Sequence, residues 1–180
     1  MFPTLEDNSS VGFSASTPYF WAISDNRDMT FTPKIYTKEN LLVLHEYRHA
    51  FKDSFLLVDT GYTKGYKKTD KLKKSKGSRS HLFAKYNHSL SKDDFSSNLE
   101  INYQHVSNDT YLKVHDIKTE LADKGKNIIT KDLSYEFQDN KNYLGISAAM
   151  YENLSSNDSD KTRFESVSYT HLRAHETGRN

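Results

Sequence analysis

The chain has 180 residues, a net charge of +1 and no cysteine. That length suits one domain, the balanced charge gives no global field favouring nucleic acid, and the lack of cysteine excludes a disulfide framework and thiolate-held zinc. Mean hydropathy is −0.82 and no run of about twenty apolar residues marks a transmembrane helix, yet 12 Tyr and 10 Phe suit strands, either of a soluble β-rich domain or of a barrel that shows only alternate residues to lipid.

Residues 1–10 read as a polar, irregular lead-in containing Pro3. Residues 11–23 alternate, with Val11, Phe13, Ala15, Thr17, Tyr19, Trp21 and Ile23 on one face and the intervening residues on the other. Period two over this length predicts a strand. Ser24-Asp25-Asn26-Arg27 is a turn-forming cluster. Met29, Phe31, Pro33 and Ile35 then alternate with Thr30, Thr32, Lys34 and Tyr36, which predicts a second strand hairpinned to the first. Each strand carries a proline, Pro18 and Pro33. Proline has no N–H to give to a ladder and is confined to edges or weak places. The pair fits an ordinary edge hairpin or a sheet built to open at that seam.

Residues 41–50 form the third predicted strand and contain His45-Glu46-Tyr47-Arg48-His49, which fits the zinc-peptidase pattern H-E-x-x-H. That chemistry needs a helix, where residues i and i+4 share one face and two imidazoles reach one zinc while the Glu activates a bound water. On a strand the two histidines stand about 13 Å apart. Leu41-Leu42-Val43-Leu44, with Thr37, Glu39 and Asn40 before it, leaves a helix open; Arg48 between the ligands and the strand-like settings of Glu100, Glu120 and Glu136 argue against it.

Further strands are predicted over residues 55–62, 80–90 and 95–106, a weaker one over 114–121, and a clear hairpin from 128–137 and 143–151 around residues 138–142. Residues 65–79 hold seven Lys or Arg against one Asp. Such a stretch can meet anions, but with Tyr66 as its one aromatic residue it makes no single-strand nucleic-acid platform. Residues 154–165 read as a polar loop. Strands every ten to fifteen residues with tight turns predict an all-β antiparallel meander of about eight or nine strands.

The ordered set Pro18-Tyr19-Phe20-Trp21, Asn26 with Asp28, Thr30-Phe31-Thr32-Pro33 and Glu46-Tyr47-Arg48 resembles the opening of the barrel of the lipopolysaccharide-assembly family LptD, the organic-solvent-tolerance proteins. Ser107-Asn108-Asp109-Thr110-Tyr111-Leu112 is similar to that family's S-D-x-[TS]-Y-[LF] segment at a matching distance, so the resemblance covers residues 10–165. It implies a fragment of a large outer-membrane β-barrel, without enzymatic activity or cofactor. It implies a part in inserting lipopolysaccharide into the outer leaflet, with Pro18 and Pro33 at a lateral gate. The implied partners are lipopolysaccharide, a plug lipoprotein inside the barrel (LptE-like) and a periplasmic bridge protein (LptA-like), with no nucleic acid. The first strand would rise from the periplasm, so the basic stretch at 65–79 would lie on the periplasmic side. The resemblance also puts His45, Glu46 and His49 on a strand.

No signal peptide is visible, and a mature outer-membrane protein needs one, so the natural N-terminus is expected to lie upstream. Val167-Ser168-Tyr169-Thr170-His171-Leu172-Arg173-Ala174-His175-Glu176-Thr177 reads as one frame of a transposase adapter used in DNA library preparation. The expected organisation is a lead-in at 1–10, a partial barrel at 11–165 and a foreign tail at 166–180, which removes His171, His175 and Glu176 from the candidate ligands. A partial barrel with two open edges is not expected to be stable alone in water. The alternatives are a zinc metallopeptidase, a generic porin and a soluble β-sandwich.

Overall fold

The computed structural model describes residues 2–64, 77–122, 125, 127–155 and 162–172. Its strands are β1 (Thr4–Asn8), β2 (Gly12–Ser16), β3 (Tyr19–Ser24), β4 (Arg27–Tyr36), β5 (Leu42–Ala50), β6 (Ser54–Thr63), β7 (Arg79–Lys92), β8 (Phe95–Val106), β9 (Ile128–Asp139), β10 (Asn142–Asn153) and β11 (Thr162–Leu172). One short helix, α1 (Tyr111–Val114), lies between β8 and β9. All eleven strands form one antiparallel sheet. Its path runs from β1 to β11 without closing, and β3 pairs with β4 beside β2. The predicted all-β antiparallel meander is therefore the fold, with eleven described strands rather than eight or nine.

The additions have local causes. Residues 4–8, expected to be irregular, pair with β2 from Thr4↔Ser16 to Asn8↔Gly12. The turn between them ends on Gly12 at φ +76°, and a Cβ there would stand 2.4 Å from Thr37 Oγ1. Only glycine fits such a backbone at such an approach. The single strand predicted over residues 11–23 is broken at Thr17-Pro18 into β2 and β3. Both pieces keep one register with β4, Ser16↔Lys34 before the break and Tyr19↔Phe31 after it.

The strand predicted over 114–121 does not form. The Asn108 side chain accepts hydrogen bonds from the Thr110 N–H (3.2 Å) and hydroxyl (2.9 Å), a local turn that starts α1. Asp116 then takes φ +48°, which ends any extended path. Residues 162–165, expected in a loop, begin β11, which pairs with β10 from Glu152↔Thr162 to Asn142↔Leu172. Thr162 and Phe164 alternate with Arg163 and Glu165, which suits an open sheet edge. The adapter-like run supplies the second half of this strand, and its residues 173–177, with His175 and Glu176, lie outside the described residues.

The two faces of the sheet differ in kind. One cross-strand row runs Trp21, Met29, Tyr47, Val58, Ala84, Tyr103, Lys131, Met150, Phe164. The next row, one residue along and on the other face, runs Ala22, Asp28, Arg48, Leu57, Lys85, Asn102, Asp132, Ala149, Glu165. The apolar face is bare: Tyr19, Trp21, Ile35, Tyr62, Leu82, Leu133 and Ile146 are all exposed. The polar face is partly covered by α1 and the residues after it, a strap at 107–122. Tyr111, Leu112 and Ile117 of the strap join Val11, Tyr36, Leu42, Phe83 and Val106 in a buried cluster. Burying each large apolar side chain there contributes roughly 1.5–3 kcal/mol.

Candidate functional site

Pro18 and Pro33 meet at the edge where the sheet begins. Thr17 stands in register with Pro33 and its N–H donates to the Pro33 carbonyl at 3.3 Å. In an antiparallel ladder such a pair exchanges two bonds. The return bond, from an N–H at position 33 to the Thr17 carbonyl, cannot form because position 33 is proline. Successive residues face alternate neighbours, so Pro18 turns its nitrogen away from β4, toward the free side of β3. The two prolines therefore remove donors from two neighbouring ladders, one inside the sheet and one at its edge.

The strap is fixed to the polar face at several places, two of them through ionisable side chains. At the first, His81 Nε2 lies 3.0 Å from Asp59 Oδ1 and its Nδ1 lies 3.2 Å from the Tyr111 hydroxyl. The carboxylate accepts from Nε2–H, which leaves Nδ1 to accept from the tyrosine. The His81 side chain is fully buried. Gly61, beside it on β6, makes the room: a Cβ there would stand 2.5 Å from His81 Cε1 and 2.7 Å from the Tyr111 hydroxyl.

At the second place, Glu6 of β1 accepts from two lysines. Lys34 Nζ of β4 donates to Oε2 at 2.7 Å and Lys118 Nζ of the strap donates to Oε1 at 2.7 Å. The His115 carbonyl accepts from the Tyr36 hydroxyl at 3.2 Å and from Lys34 at 3.4 Å. These groups line a cleft of about 260 Å³ between β1, β4 and the strap. The hydrogen bond to Glu6 holds the Lys118 ammonium above the usual lysine range. Further along, Gln104 of β8 donates to the Leu121 carbonyl.

The zinc arrangement is not formed. His45, Glu46 and His49 lie on β5, where the register gives His45↔Phe31 and His49↔Leu56 on the apolar face and Glu46↔Asp59 on the polar one. The sheet thus separates the base from both ligands and puts the ligands about 13 Å apart. His45 packs on Phe31 with ring centroids 4.9 Å apart, and His49 on Phe51 at 3.7 Å. Arg48 bonds to Asp28 at 2.9 Å, on the face that carries Glu46. Among the described residues no three side chains gather in a way that could hold a metal ion.

Residues 65–76 of the basic stretch lie outside the described residues; Arg79 opens β7 and is buried opposite Thr63. Glu6, Lys34, Asp59, His81 and Lys118 carry no local motif. The usable signal for Asp59 and His81 is parity, since each is a polar residue on the same face as Phe83, in neighbouring strands. The strap's anchor Tyr111 falls inside the Ser107-to-Leu112 segment that carries the downstream resemblance.

No protein-family model matches the chain. It is 29% identical over 143 residues to the LPS-assembly protein LptD of Legionella pneumophila, covering 67% of this chain and 17% of that one. It is 27% identical over 118 residues to the protein of the same name from Actinobacillus pleuropneumoniae, covering 64% of this chain and 15% of that one. A shorter match, 35% identical over 49 residues, joins it to the protein of that name from Shewanella oneidensis and covers 27% of this chain and 6% of that one. The chain thus spans less than a fifth of the length of these curated relatives, and what it is similar to is a segment of LPS-assembly proteins LptD.

Proposed function

We propose that the chain is part of an outer-membrane translocon that inserts lipopolysaccharide into the outer leaflet through a lateral gate at its first strands. The observation that carries this reading is the opposition of the two faces. Water-soluble sheets hide their apolar face and wet their polar one; here the aromatic and aliphatic rows are bare, and the polar rows face the strap. That is the pattern of a barrel wall with lipid outside and a polar lumen inside. The similarity to LPS-assembly proteins supports lipopolysaccharide as the cargo. In this reading residues 1–10 lead in and add β1 to the sheet's edge, 11–165 belong to the barrel, and 166–180 are a tail of foreign origin. The protein acts as a conduit in the outer membrane, with no reaction or cofactor of its own. A plug lipoprotein (LptE-like) would sit against the polar face and a periplasmic bridge protein (LptA-like) would deliver the lipid.

The mechanism follows from the cargo. A lipid with a large polar head and acyl tails leaves a barrel only sideways, head in the lumen and tails in the bilayer. Two neighbouring strands must part, and every backbone bond between them must break in lipid, where nothing replaces it. Each bond absent from the start lowers that cost by about 1 kcal/mol. Pro18 removes a donor from the free side of β3 and Pro33 one from the ladder behind it. In the intact protein, Pro18→Ala with Pro33→Ala is expected to tighten this edge, slow lipid export and raise outer-membrane permeability to bulky antibiotics. Export and permeability equal to wild type would sink the gate.

A further inference from the structure

We infer that Lys118 is a positioning residue that latches the β1–β2 hairpin to the polar face through Glu6, and so holds the proposed gate's edge in place. The inference deepens the gate reading and rests on it for its functional meaning. β1 pairs only with β2 among the described residues, and a lone five-residue strand at a sheet edge is weakly held. Of its two charged residues Glu6 faces inward, where Lys34 of β4 and Lys118 of the strap grip one carboxylate oxygen each, both at 2.7 Å. Lys34 is nearly buried, with its side chain 9% exposed, while Lys118 is 67% exposed. The first lysine belongs to the wall. The second belongs to a strap anchored 112 residues along the chain, so the contact ties the first strand to a distant segment.

Geometry gives the latch its direction. β2 runs straight into the Thr17-Pro18 break, after which β3 continues along β4. A hairpin that swings away from the polar face takes β2 with it and leaves Pro33 as the nearest weak point in the remaining ladder. While Glu6 is held from two sides, that swing requires both ion pairs to break as well as the short ladder between β2 and β4. Releasing the strap's lysine alone leaves the hairpin held by Lys34 and that ladder. Because Lys118 is exposed, its substitution leaves packing untouched, and the effect of charge is separable from the effect of folding.

The test uses the intact protein with spin labels at Leu5 and Lys113, both exposed. The distance between them is read by pulsed dipolar spectroscopy alongside lipid export. Wild type and Lys118→Arg are expected to give one narrow distance. Lys118→Glu, which sets two carboxylates against each other, is expected to add a second, longer population. Glu6→Gln is expected to do the same to a smaller extent. Identical narrow distances in Lys118→Glu and wild type would overturn the latch, as would an equal loss in Lys118→Arg, which keeps the charge. A released hairpin with unchanged export would keep the latch and remove the gate it was thought to serve.

Discussion

Leu133 and Ser134 are consecutive residues of β9, and they stand on opposite faces of the sheet. Leu133 stands in the row Ile101, Leu133, Ala148 and is 40% exposed; Ser134 stands in the row Glu100, Ser134, Ser147 on the opposite face. The contrast holds across the width of the sheet. The exposed rows are aromatic and aliphatic, and the shielded rows hold Asp28 with Arg48, Asn102 with Asp132, and Asp59 with His81. In water this arrangement would leave the hydrophobic effect pointing the wrong way. With hydrocarbon against one face and a wet lumen against the other, most residues of each row are in their preferred medium, Lys131 of the outward row being an exception.

The sharpest way to break this comparison is to put the same charge on each side. Leu133→Arg in the intact protein is expected to cost about 2–4 kcal/mol of folding stability in bilayers, the range for arginine near the midplane of a barrel's lipid face. Ser134→Arg, beside Glu100, is expected to stay within about 0.5 kcal/mol of wild type. Denaturant titration in lipid vesicles reads both. A soluble β-sandwich predicts no penalty at exposed Leu133, so equal stabilities would overturn the membrane assignment.

The polar face makes its own demand, since it has to hold a strap without a large apolar core. Gly61→Ala pushes a methyl group against the His81 ring and the Tyr111 hydroxyl, and neither is the end of a flexible side chain. The expected cost is about 1–3 kcal/mol, with the strap losing protection against amide hydrogen exchange before the strands do. Tyr111→Phe keeps the ring in its pocket and removes one donor from buried His81. About 0.5–1.5 kcal/mol is expected, again concentrated in the strap. If exchange rose uniformly in both variants, the strap and the wall would be one cooperative unit.

These elements differ in how far the sequence alone exposes them. β8 was legible to the residue, because period-two alternation over Phe95–Val106 is a local property. The same parity argument separates Glu46 from His45 and His49 as soon as the stretch is read as a strand. β1 was missed because its five residues, Thr-Leu-Glu-Asp-Asn, are too short and too charged to show a period; it exists because β2 offers an unpaired side. The Pro18 break was visible as a proline and its partner Pro33 was visible too, but their meeting depends on the turn length that sets the register. The strap is least legible. Its turn begins on an Asn side chain, its helix is a single turn, and its anchors Asp59 and His81 lie 52 and 30 residues upstream of Tyr111. Contacts of that kind are set by the assembled sheet and leave no pattern in a local window.

The smallest effect expected on the polar face is also the most specific. Lys118 has its pKa raised by the hydrogen bond to Glu6. A lysine raised in the folded state contributes stability that is fully present below its unfolded value and is lost as pH rises through the folded one. For Lys118 the loss therefore starts only above the ordinary value of 10.5. Being well exposed, the pair is screened by water and salt, and its contribution stays below about 1 kcal/mol. The distance between labels at Leu5 and Lys113 should accordingly stay constant through the neutral range and broaden in acid that protonates Glu6, whose carboxyl the two lysines hold down at about 2, or in strong alkali. In Lys118→Arg it should hold further still, because guanidinium keeps its charge there. A transition near neutral pH would point to a histidine in control of the hairpin and take that role from Lys118. A flat profile in both proteins, together with release in Lys118→Glu, would leave charge at position 118 as the determinant that ties the first strand to the lumen side of the sheet.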